Sequence, residues 1–268
     1  MVGVAVTIPI TASIVFGQRA TYTGSVQFAS GNYIFSERTN SLYFYNGFSV
    51  YTGPLQISAN IPVIIQQTPG VSYSDTGEIT YIGTQNSEVK RRGHGERLLL
   101  PDTTHSQEVG MGDLVLRLDL QLLEEKKVLP SMSFIGSFKA PIADVDQGFG
   151  TGEADYGAGI SLNKVFSRNL VLAEMIYWVL GDPPELELKN LVDYIVAIGR
   201  PIANNKLSIF VSFSGSSEIV NDVEPPSQVG VGLGYQFSSG SNLNGSISIG
   251  VTDSAPDFSV SFGWGIGL

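Results

Sequence analysis

The stretch from Phe258 to Leu268 constrains the fold most tightly. It reads F-S-V-S-F-G-W-G-I-G-L, so a large apolar residue occupies every second position and serine or glycine lies between. Because successive side chains of a β-strand point to opposite faces, this pattern predicts a strand with one apolar face and one small, polar face. Phe and Trp on the apolar face indicate contact with lipid, and we expect this strand to close a barrel by pairing with the first strand.

The same alternation recurs from residue 20 onward and predicts twelve strands. The clearest is 114–122, where leucine occupies every second position, whereas a helix would scatter these leucines around its circumference. Segment 41–51 is aromatic on both faces, and segment 169–180 is apolar on both, so its length also fits a helix. Pro62 predicts an end or a bulge in the third strand. The predicted strands are 20–29, 41–51, 55–64, 114–122, 132–140, 156–166, 169–180, 190–200, 206–214, 228–237, 244–251 and 258–268.

The connections between these strands alternate in length. The odd-numbered connections are on the whole the longer ones and together hold most of the acidic residues, and the even-numbered ones are generally shorter. Outer-membrane barrels have long external loops and short periplasmic turns. The sequence therefore predicts an all-β protein, a transmembrane antiparallel β-barrel of about twelve strands with up-and-down topology and periplasmic termini. The long connections are 30–40, 66–111, 141–155, 181–188, 215–227 and 252–257.

A soluble β-sandwich or water-soluble barrel is the alternative fold, because its strands alternate too. Its polar face would contact water and be rich in Lys, Glu and Thr, whereas here that face is mainly Gly, Ser, Asn and Gln. Only 15% of the residues are charged, and no apolar run approaches the roughly 20 residues that a membrane helix needs. The composition favours the membrane barrel.

Charge and cysteine content limit the chemistry and the partners. The chain has no cysteine, which excludes disulfides, thiol nucleophiles and cysteine-bound metals. Its 15 Lys and Arg against 25 Asp and Glu give a net charge of −10, which argues against nucleic acid as a partner.

The N-terminal segment differs from the rest of the chain. Residues 2–17 are apolar without strict alternation, and Val15 and Gly17 before Gln18 match a signal-peptide cleavage site, although the basic start of such a peptide is missing. We expect residues 1–18 to be a signal-peptide remnant or a periplasmic N-terminal segment, with a first strand as the alternative. Residues 19–268 are then the transmembrane barrel.

Four segments resemble a known family. They are G-N-Y-I-F-S-E-R-T-N-S-L-Y-F-Y-N-G-F-S-V at 31–50, A-N-I-P-V-I-I-Q at 59–66, G-M-G-D-L at 110–114 and T-G-E-A-D-Y-G-A-G-I-S-L at 151–162. Together they are similar to the outer-membrane β-barrels named for the meta-pathway of phenol degradation, which are described as transporters. The resemblance implies an outer-membrane location and traffic in small, often aromatic, compounds, and it brings no catalytic residues with it. The last strand also resembles the assembly signal of outer-membrane proteins, except that Leu268 stands where Phe or Trp is usual.

Charged residues on the inward parity of the strands are the first candidate site. A charge inside a barrel pairs with another charge or contacts water, because burying it alone is costly. These residues therefore form either a structural salt-bridge network that plugs a narrow lumen or a polar constriction that selects solutes. The predicted lumen-lining charges are Arg117, Asp119, Lys139, Glu174 and Asp193, and Gln121, Asn163 and Lys206 share their face.

The long connection 66–111 is the second candidate site, because loops of this size are usually functional or disordered. Its centre holds the one basic cluster of this acidic chain, Lys90, Arg91, Arg92 and Arg97. The cluster is predicted to fold inward as a gate or to contact lipopolysaccharide phosphates, which arginine binds well; a solvated loop tip is the alternative.

An enzymatic role is not expected. The two histidines, His94 and His105, both lie in this long polar connection, whereas a catalytic histidine needs a rigid position within reach of its nucleophile. Glu88, Glu96 and Asp102 nearby show no recognised metal-ligand spacing, so we expect neither a metal nor a cofactor.

The expected function is passive uptake of small solutes, hydrophobic or aromatic ones included, through an outer-membrane barrel. The alternatives are a closed structural or adhesive barrel without transport and an outer-membrane lipid hydrolase. The expected partners are outer-membrane lipid and lipopolysaccharide, a small-molecule solute, and the outer-membrane assembly machinery acting on Phe258–Leu268.

Overall fold

Twelve antiparallel strands close into a β-barrel in the structure, a computed structural model. It describes residues 19–33, 38–66, 71–73, 79–81, 86–88, 99–101, 108–145, 149–181, 188–203, 206–219 and 223–268. Each barrel strand pairs with the next one in the chain, and the last pairs with the first. The strands are β1 (Arg19–Gly31), β2 (Thr39–Thr52), β3 (Leu55–Gln66), β4 (Leu114–Leu123), β5 (Ser131–Ala140), β6 (Asp155–Phe166), β7 (Asn169–Val179), β8 (Leu191–Ile202), β9 (Leu207–Ser216), β10 (Ser227–Gln236), β11 (Asn242–Gly250) and β12 (Phe258–Gly267).

Five short strands lie in the long connection between β3 and β4. Val71–Tyr73 pairs with Ile79–Tyr81, and Asn86–Glu88 pairs with Leu99–Pro101, while Glu108–Met111 extends the barrel wall beside β3. Within the described ranges, no helix is long and apolar enough to cross a membrane. Segment 169–180, which the sequence left open between helix and strand, forms β7.

The pairing of β12 with β1 closes the barrel, as the last stretch predicted. The ladder runs from Thr21 opposite Gly267 to Ser30 opposite Phe258. Trp264 lies directly over Gly24 of β1, where an added Cβ would come within 2.3 Å of the indole ring. Glycine at this position therefore lets the indole cover the seam between the two strands.

Large apolar side chains cover the outside of the barrel. The apolar parity of every predicted strand faces outward and is substantially exposed, as at Leu116, Val231 and Phe262. Aromatic pairs lie near both rims, which is typical of the girdles of outer-membrane barrels at the two membrane surfaces. Near the long connections the paired rings are Phe28–Phe258, Phe138–Tyr156 and Tyr194–Phe213, and near the short ones they are Tyr235–Phe237.

The long and short connections emerge at opposite ends, which we call the extracellular and periplasmic ends by analogy with outer-membrane barrels. At Pro62 the third strand does not end but continues to Gln66, and the irregularity lies in its partner. Asn60 pairs with Val115 and Val63 with Met111, so the partner accommodates one extra residue. This bulge places Gly112 N–H 2.9 Å from the Pro62 carbonyl oxygen and turns Asp113 into the barrel.

Val231 tests the lipid-facing surface, because it lies midway along β10 between Val211 and Ile247 on the outer face. We predict that Val231→Arg lowers the free energy of unfolding by about 2–4 kcal/mol, since a guanidinium near the bilayer midplane loses its hydration. Reversible urea unfolding in phosphatidylcholine vesicles measures the change. Ser239→Arg, in the exposed connection after β10, is the control and should cost less than about 1 kcal/mol. Equal losses in both variants would contradict this placement of β10.

Candidate functional site

The interior of the barrel changes in character along its length. Toward the extracellular end the inward side chains are buried, among them Gln27, Gln66 and Lys139. Toward the periplasmic end they are partly exposed, as at Asn244 of β11 and Ser58 of β3. Because these residues point away from lipid, the space they border is the lumen. The lumen is thus open at its periplasmic half and filled at its extracellular half.

Arg117 organises an ion network at mid-height. It lies on the inward face of β4, and Asp119, two residues later, shares that face. Arg117 Nε and Nη2 donate to the two carboxylate oxygens of Asp119 at 2.9 and 2.8 Å, and Nη1 and Nη2 donate to those of Glu174 at 2.8 Å each. Glu174 belongs to β7, so the guanidinium crosses in front of β5 and β6. One cation thereby compensates two carboxylates, and the network keeps a net negative charge.

Lys139 organises a second network closer to the extracellular end. Its Nζ lies 2.7 Å from Asp155 Oδ2, 3.4 Å from Asp113 Oδ2 and 3.2 Å from Thr151 Oγ1. Asp113 is fully buried, and its Oδ1 accepts a hydrogen bond from the Ala143 N–H at 2.9 Å. Here too one cation faces two carboxylates, and the network ties the connection between β5 and β6 to the barrel wall.

Phe149, in that same connection, fills part of the lumen. Its side chain has no exposed surface and packs against Tyr43, Tyr45 and Ile64 of the barrel wall. Gly110 makes room for it, since a Cβ there would lie 2.0 Å from the phenyl ring. We call this group, with Ala29 and Ala143 at its edge, the Phe149 cluster.

A second apolar group, the Trp178 cluster, fills the opposite side of the extracellular end of the lumen, which we call the mouth. Trp178 and Ile176 of β7 point inward and pack with Ile135 of β5 and Leu191 of β8. Tyr33 and Ile219 complete the group from the connections after β1 and β9. In both clusters, therefore, side chains from the long connections meet apolar residues of the wall.

The wall formed by β10, β11 and β12 carries small inward residues. Gly230, Gly232 and Gly234 follow one another on β10, and Ser246 and Ser248 of β11 bond to the serines of β12 at 2.7 and 2.6 Å. Around a barrel of twelve strands, this wall lies opposite the Arg117 network. The ring of Phe210 from β9 lies over Gly232, where an added Cβ would come within 2.1 Å of it, so glycine there lets an aromatic side chain pack across β10.

The structure brings some of the predicted site residues together and not others. Arg117, Asp119 and Glu174 form one network, and Lys139 belongs to the separate one above. Asp193 is buried on the inward face of β8, beside Ile176 and Ser216 on the neighbouring strands. Lys206, expected to point inward, lies exposed in the connection after β8 because the strand pairing begins only at Leu207.

The basic residues of the predicted gate lie outside the described part of this connection, as do the two histidines, His94 and His105; these basic residues are Lys90, Arg91, Arg92 and Arg97. The same holds for the expected segment 1–18. Among the described residues, no group of three or more His, Cys, Asp or Glu side chains is arranged to hold a metal ion.

Sequence reasoning missed four residues that shape the lumen: Asp113, Thr151, Asp155 and Phe149. None lies on the inward parity of a predicted strand, so alternation gave no reason to select them. A signal was present, however. Asp113 lies in the family-like segment G-M-G-D-L, and Thr151 and Asp155 lie in T-G-E-A-D-Y.

Comparison with known proteins identifies the family. The family described as "Putative MetA-pathway of phenol degradation" matches residues 39–266. The chain belongs to this family. The resemblance of segments 31–50, 59–66, 110–114 and 151–162 is thereby confirmed. A search of curated proteins finds no match to the sequence.

The chain superposes on several solved structures to different degrees. An outer-membrane channel from Pseudomonas putida F1 superposes with a TM-score of 0.68 at 11% identity, over 96% of this chain and 97% of that one. The translocator domain of the autotransporter NalP from Neisseria meningitidis gives 0.48 at 10% identity, over 95% and 89%. The KdgM porin, in complex with oligogalacturonate, gives 0.44 at 7% identity, over 94% and 98%. The first likeness shows a common barrel fold, and the other two are too distant to add to it.

Lys139 is the residue on which the second network depends. We predict that Lys139→Met lowers the free energy of unfolding by about 3–5 kcal/mol, because the buried carboxylates of Asp113 and Asp155 then lose the ammonium group that lies close to both. Urea unfolding in vesicles measures the loss. Adding Asp155→Asn should restore part of it by removing one of the two carboxylates. A single-variant loss below about 1 kcal/mol would show that the carboxylates do not rely on Lys139.

Proposed function

We propose that the protein is an outer-membrane channel for the passive passage of small solutes, hydrophobic and aromatic ones included. One observation carries the proposal: the lumen is open from the periplasmic end, and the filling of its extracellular half includes side chains from connections as well as from strands. A connection can move without breaking the hydrogen bonds of the barrel wall. A barrel filled only by its strand residues would have no such route to opening.

The chemistry of the filled half supports apolar and aromatic solutes. A solute entering past Phe149 would meet the stacked rings of Tyr43 and Tyr45, whose centroids lie 5.8 Å apart. It would then pass the Trp178 cluster before reaching the Arg117 network. Aromatic rings bind other aromatic groups by offset or edge-to-face contacts. The description of the family, which names phenol degradation, agrees with this substrate class.

The described charges inside the lumen favour neutral or cationic solutes over anions. Arg117 faces Asp119 and Glu174, and Lys139 faces Asp113 and Asp155, so each network has one carboxylate in excess. A surplus of carboxylates in a narrow passage attracts cations and repels anions. The networks thus serve both as structural pairing and as a polar constriction, the two roles that the sequence left open.

A closed structural barrel is the second candidate. The complete burial of Phe149, Tyr43 and Ile64 favours it, because this side of the mouth is tightly filled. The two candidate functions differ in whether the side chains that fill the extracellular half of the lumen can move out of it.

Planar-bilayer recording of the refolded protein tests passage directly. We expect discrete conductance, with cation preference in a potassium chloride gradient. Glu174→Gln should move the reversal potential towards zero, because the Arg117 network then loses its surplus negative charge. Glu124→Gln removes the same charge from the exposed connection after β4 and is the matched control. Absence of conductance from folded protein would favour the closed barrel, and equal shifts in both variants would contradict the constriction.

Phe149 provides a second test. We predict that Phe149→Ala increases the rate of liposome swelling with a phenol-sized solute, because the largest side chain contributed by the connection no longer fills the mouth. The truncation should also lower the free energy of unfolding by about 3–5 kcal/mol, as for other buried phenylalanines. Phe134→Ala, on the lipid-facing side of β5, is the control for swelling. Unchanged swelling in Phe149→Ala would show that this cluster does not control entry.

A further inference from the structure

An apolar surface at the periplasmic end is unexplained by passage through the lumen. Val128 is 83% exposed and Phe166 is 70% exposed, far more than the side chains of the lipid-facing belt nearby. Four more large residues, each about half exposed, surround them. We call the six together the hairpin patch: Leu122, Leu123, Val128, Leu129, Val165 and Phe166.

The hairpin patch projects beyond the rim of its neighbours. Gln121 N–H donates to the Pro54 carbonyl oxygen at 2.8 Å, so the chain after Gln121 extends past the turn between β2 and β3. Val165 is on the inward parity of its strand but is exposed there, because the barrel no longer surrounds it, and Leu123 follows a bulge that pairs it with Met132 on the outward face. Apolar side chains therefore cover both faces of this projection.

Lys164 fixes the shape of the projection. Its Nζ donates to Glu125 Oε1 at 2.9 Å and to the carbonyl oxygens of Lys126 and Lys127 at 2.6 and 3.3 Å. The hydrogen bond from Lys164, followed by one from the Val165 N–H, holds the pKa of Glu125 below its usual range. Glu125 therefore neutralises Lys164, and the connection presents its apolar tip in a defined conformation.

Exposed basic side chains surround the tip. Lys126, Lys127 and Arg168 are all exposed next to Val128 and Phe166, and the nearby exposed acids are Glu124 and Glu125, the second of which pairs with Lys164. A basic rim around exposed apolar residues is the composition of segments that lie in the interface of a membrane with anionic lipids. The polar turn Ser238–Ser241, at the same end of the barrel, offers no such combination.

We propose that the hairpin patch is an interfacial anchor that binds anionic phospholipids of the periplasmic leaflet. Two observations select lipid as the occupant. The patch is continuous with the lipid-facing leucines of β4, which end at Leu122, and its basic rim complements phospholipid headgroups in charge. Val128, Leu129 and Phe166 enter the boundary between headgroups and acyl chains, while Lys126, Lys127 and Arg168 contact the phosphates.

The absence of cysteine from the chain permits a direct test. Val128→Cys carries a fluorescent label in vesicles of phosphatidylcholine mixed with brominated phosphatidylglycerol, and lipid bromine quenches the label on contact. Ser239→Cys, in the exposed turn after β10, is the matched control. We expect strong quenching at position 128 and little at position 239. We also expect brominated phosphatidylglycerol to quench more than brominated phosphatidylcholine at the same mole fraction.

Neutralising the basic rim separates the electrostatic contribution to lipid binding from the apolar contribution. Lys126→Gln with Lys127→Gln should lower the enrichment of phosphatidylglycerol around the label by about fivefold per lysine, and leave quenching by phosphatidylcholine unchanged. Equal quenching at positions 128 and 239 would overturn the anchor. A second result would also overturn it. If, in lipid-free amphipol, a water-soluble quencher reaches the label at position 128 less well as the protein concentration rises, a second copy of the protein covers the patch. If phosphatidylglycerol remains as enriched around the label after both lysine substitutions as before them, Lys126 and Lys127 do not bind its phosphates, and the proposed role of the basic rim is wrong.

Discussion

The pairing of β12 with β1 is the constraint on which the rest of the structure depends. In hydrocarbon no water replaces a missing hydrogen bond, so a sheet with an open edge cannot cross a membrane. The ladder between Thr21–Ser30 and Phe258–Gly267 removes that edge. Once the sheet closes, each strand residue faces either lipid or the lumen. The outward residues are therefore mainly apolar, apart from a few such as Asn46 of β2, which accepts a hydrogen bond from the Tyr22 hydroxyl, and most of the variety in chemistry lies among the inward ones.

The chemistry of those inward residues differs between the two ends of the lumen and between its opposite walls. The periplasmic half is polar and open, and the wall of β10 to β12 is lined by glycine and serine. In the extracellular half, Tyr43, Ile64, Ile176 and Trp178 break the polar parity and are buried. An apolar side chain inside a water-filled barrel is unfavourable unless something covers it. Phe149, Tyr33 and Ile219 supply that cover from the connections.

The sequence predicted the twelve strands, their facing and the closing pair, because period-two alternation depends only on the backbone. It was ambiguous at 41–51 and 169–180, and these form β2 and β7, whose inward residues contribute to the two apolar clusters. Ambiguous alternation therefore marked where connections pack inside the barrel. The contact between Arg117 and Glu174 could not be predicted, because it depends on how far a side chain of β4 reaches past two intervening strands. Asp113 escaped notice because a bulge, rather than a strand, turns it inward.

Opening of the mouth need not leave a buried charge alone. Lys139 and Asp155 lie directly opposite each other on β5 and β6, so strand pairing alone holds their ion pair together. The contacts of Thr151 with Lys139 and of the Ala143 N–H with Asp113 belong instead to the connection that carries Phe149. If that connection withdraws, Asp113 remains within reach of Lys139, and water replaces the lost backbone donor. The energetic cost of opening then lies mainly in the apolar contacts of Phe149, while the carboxylates of the wall keep their contact with Lys139 in both states.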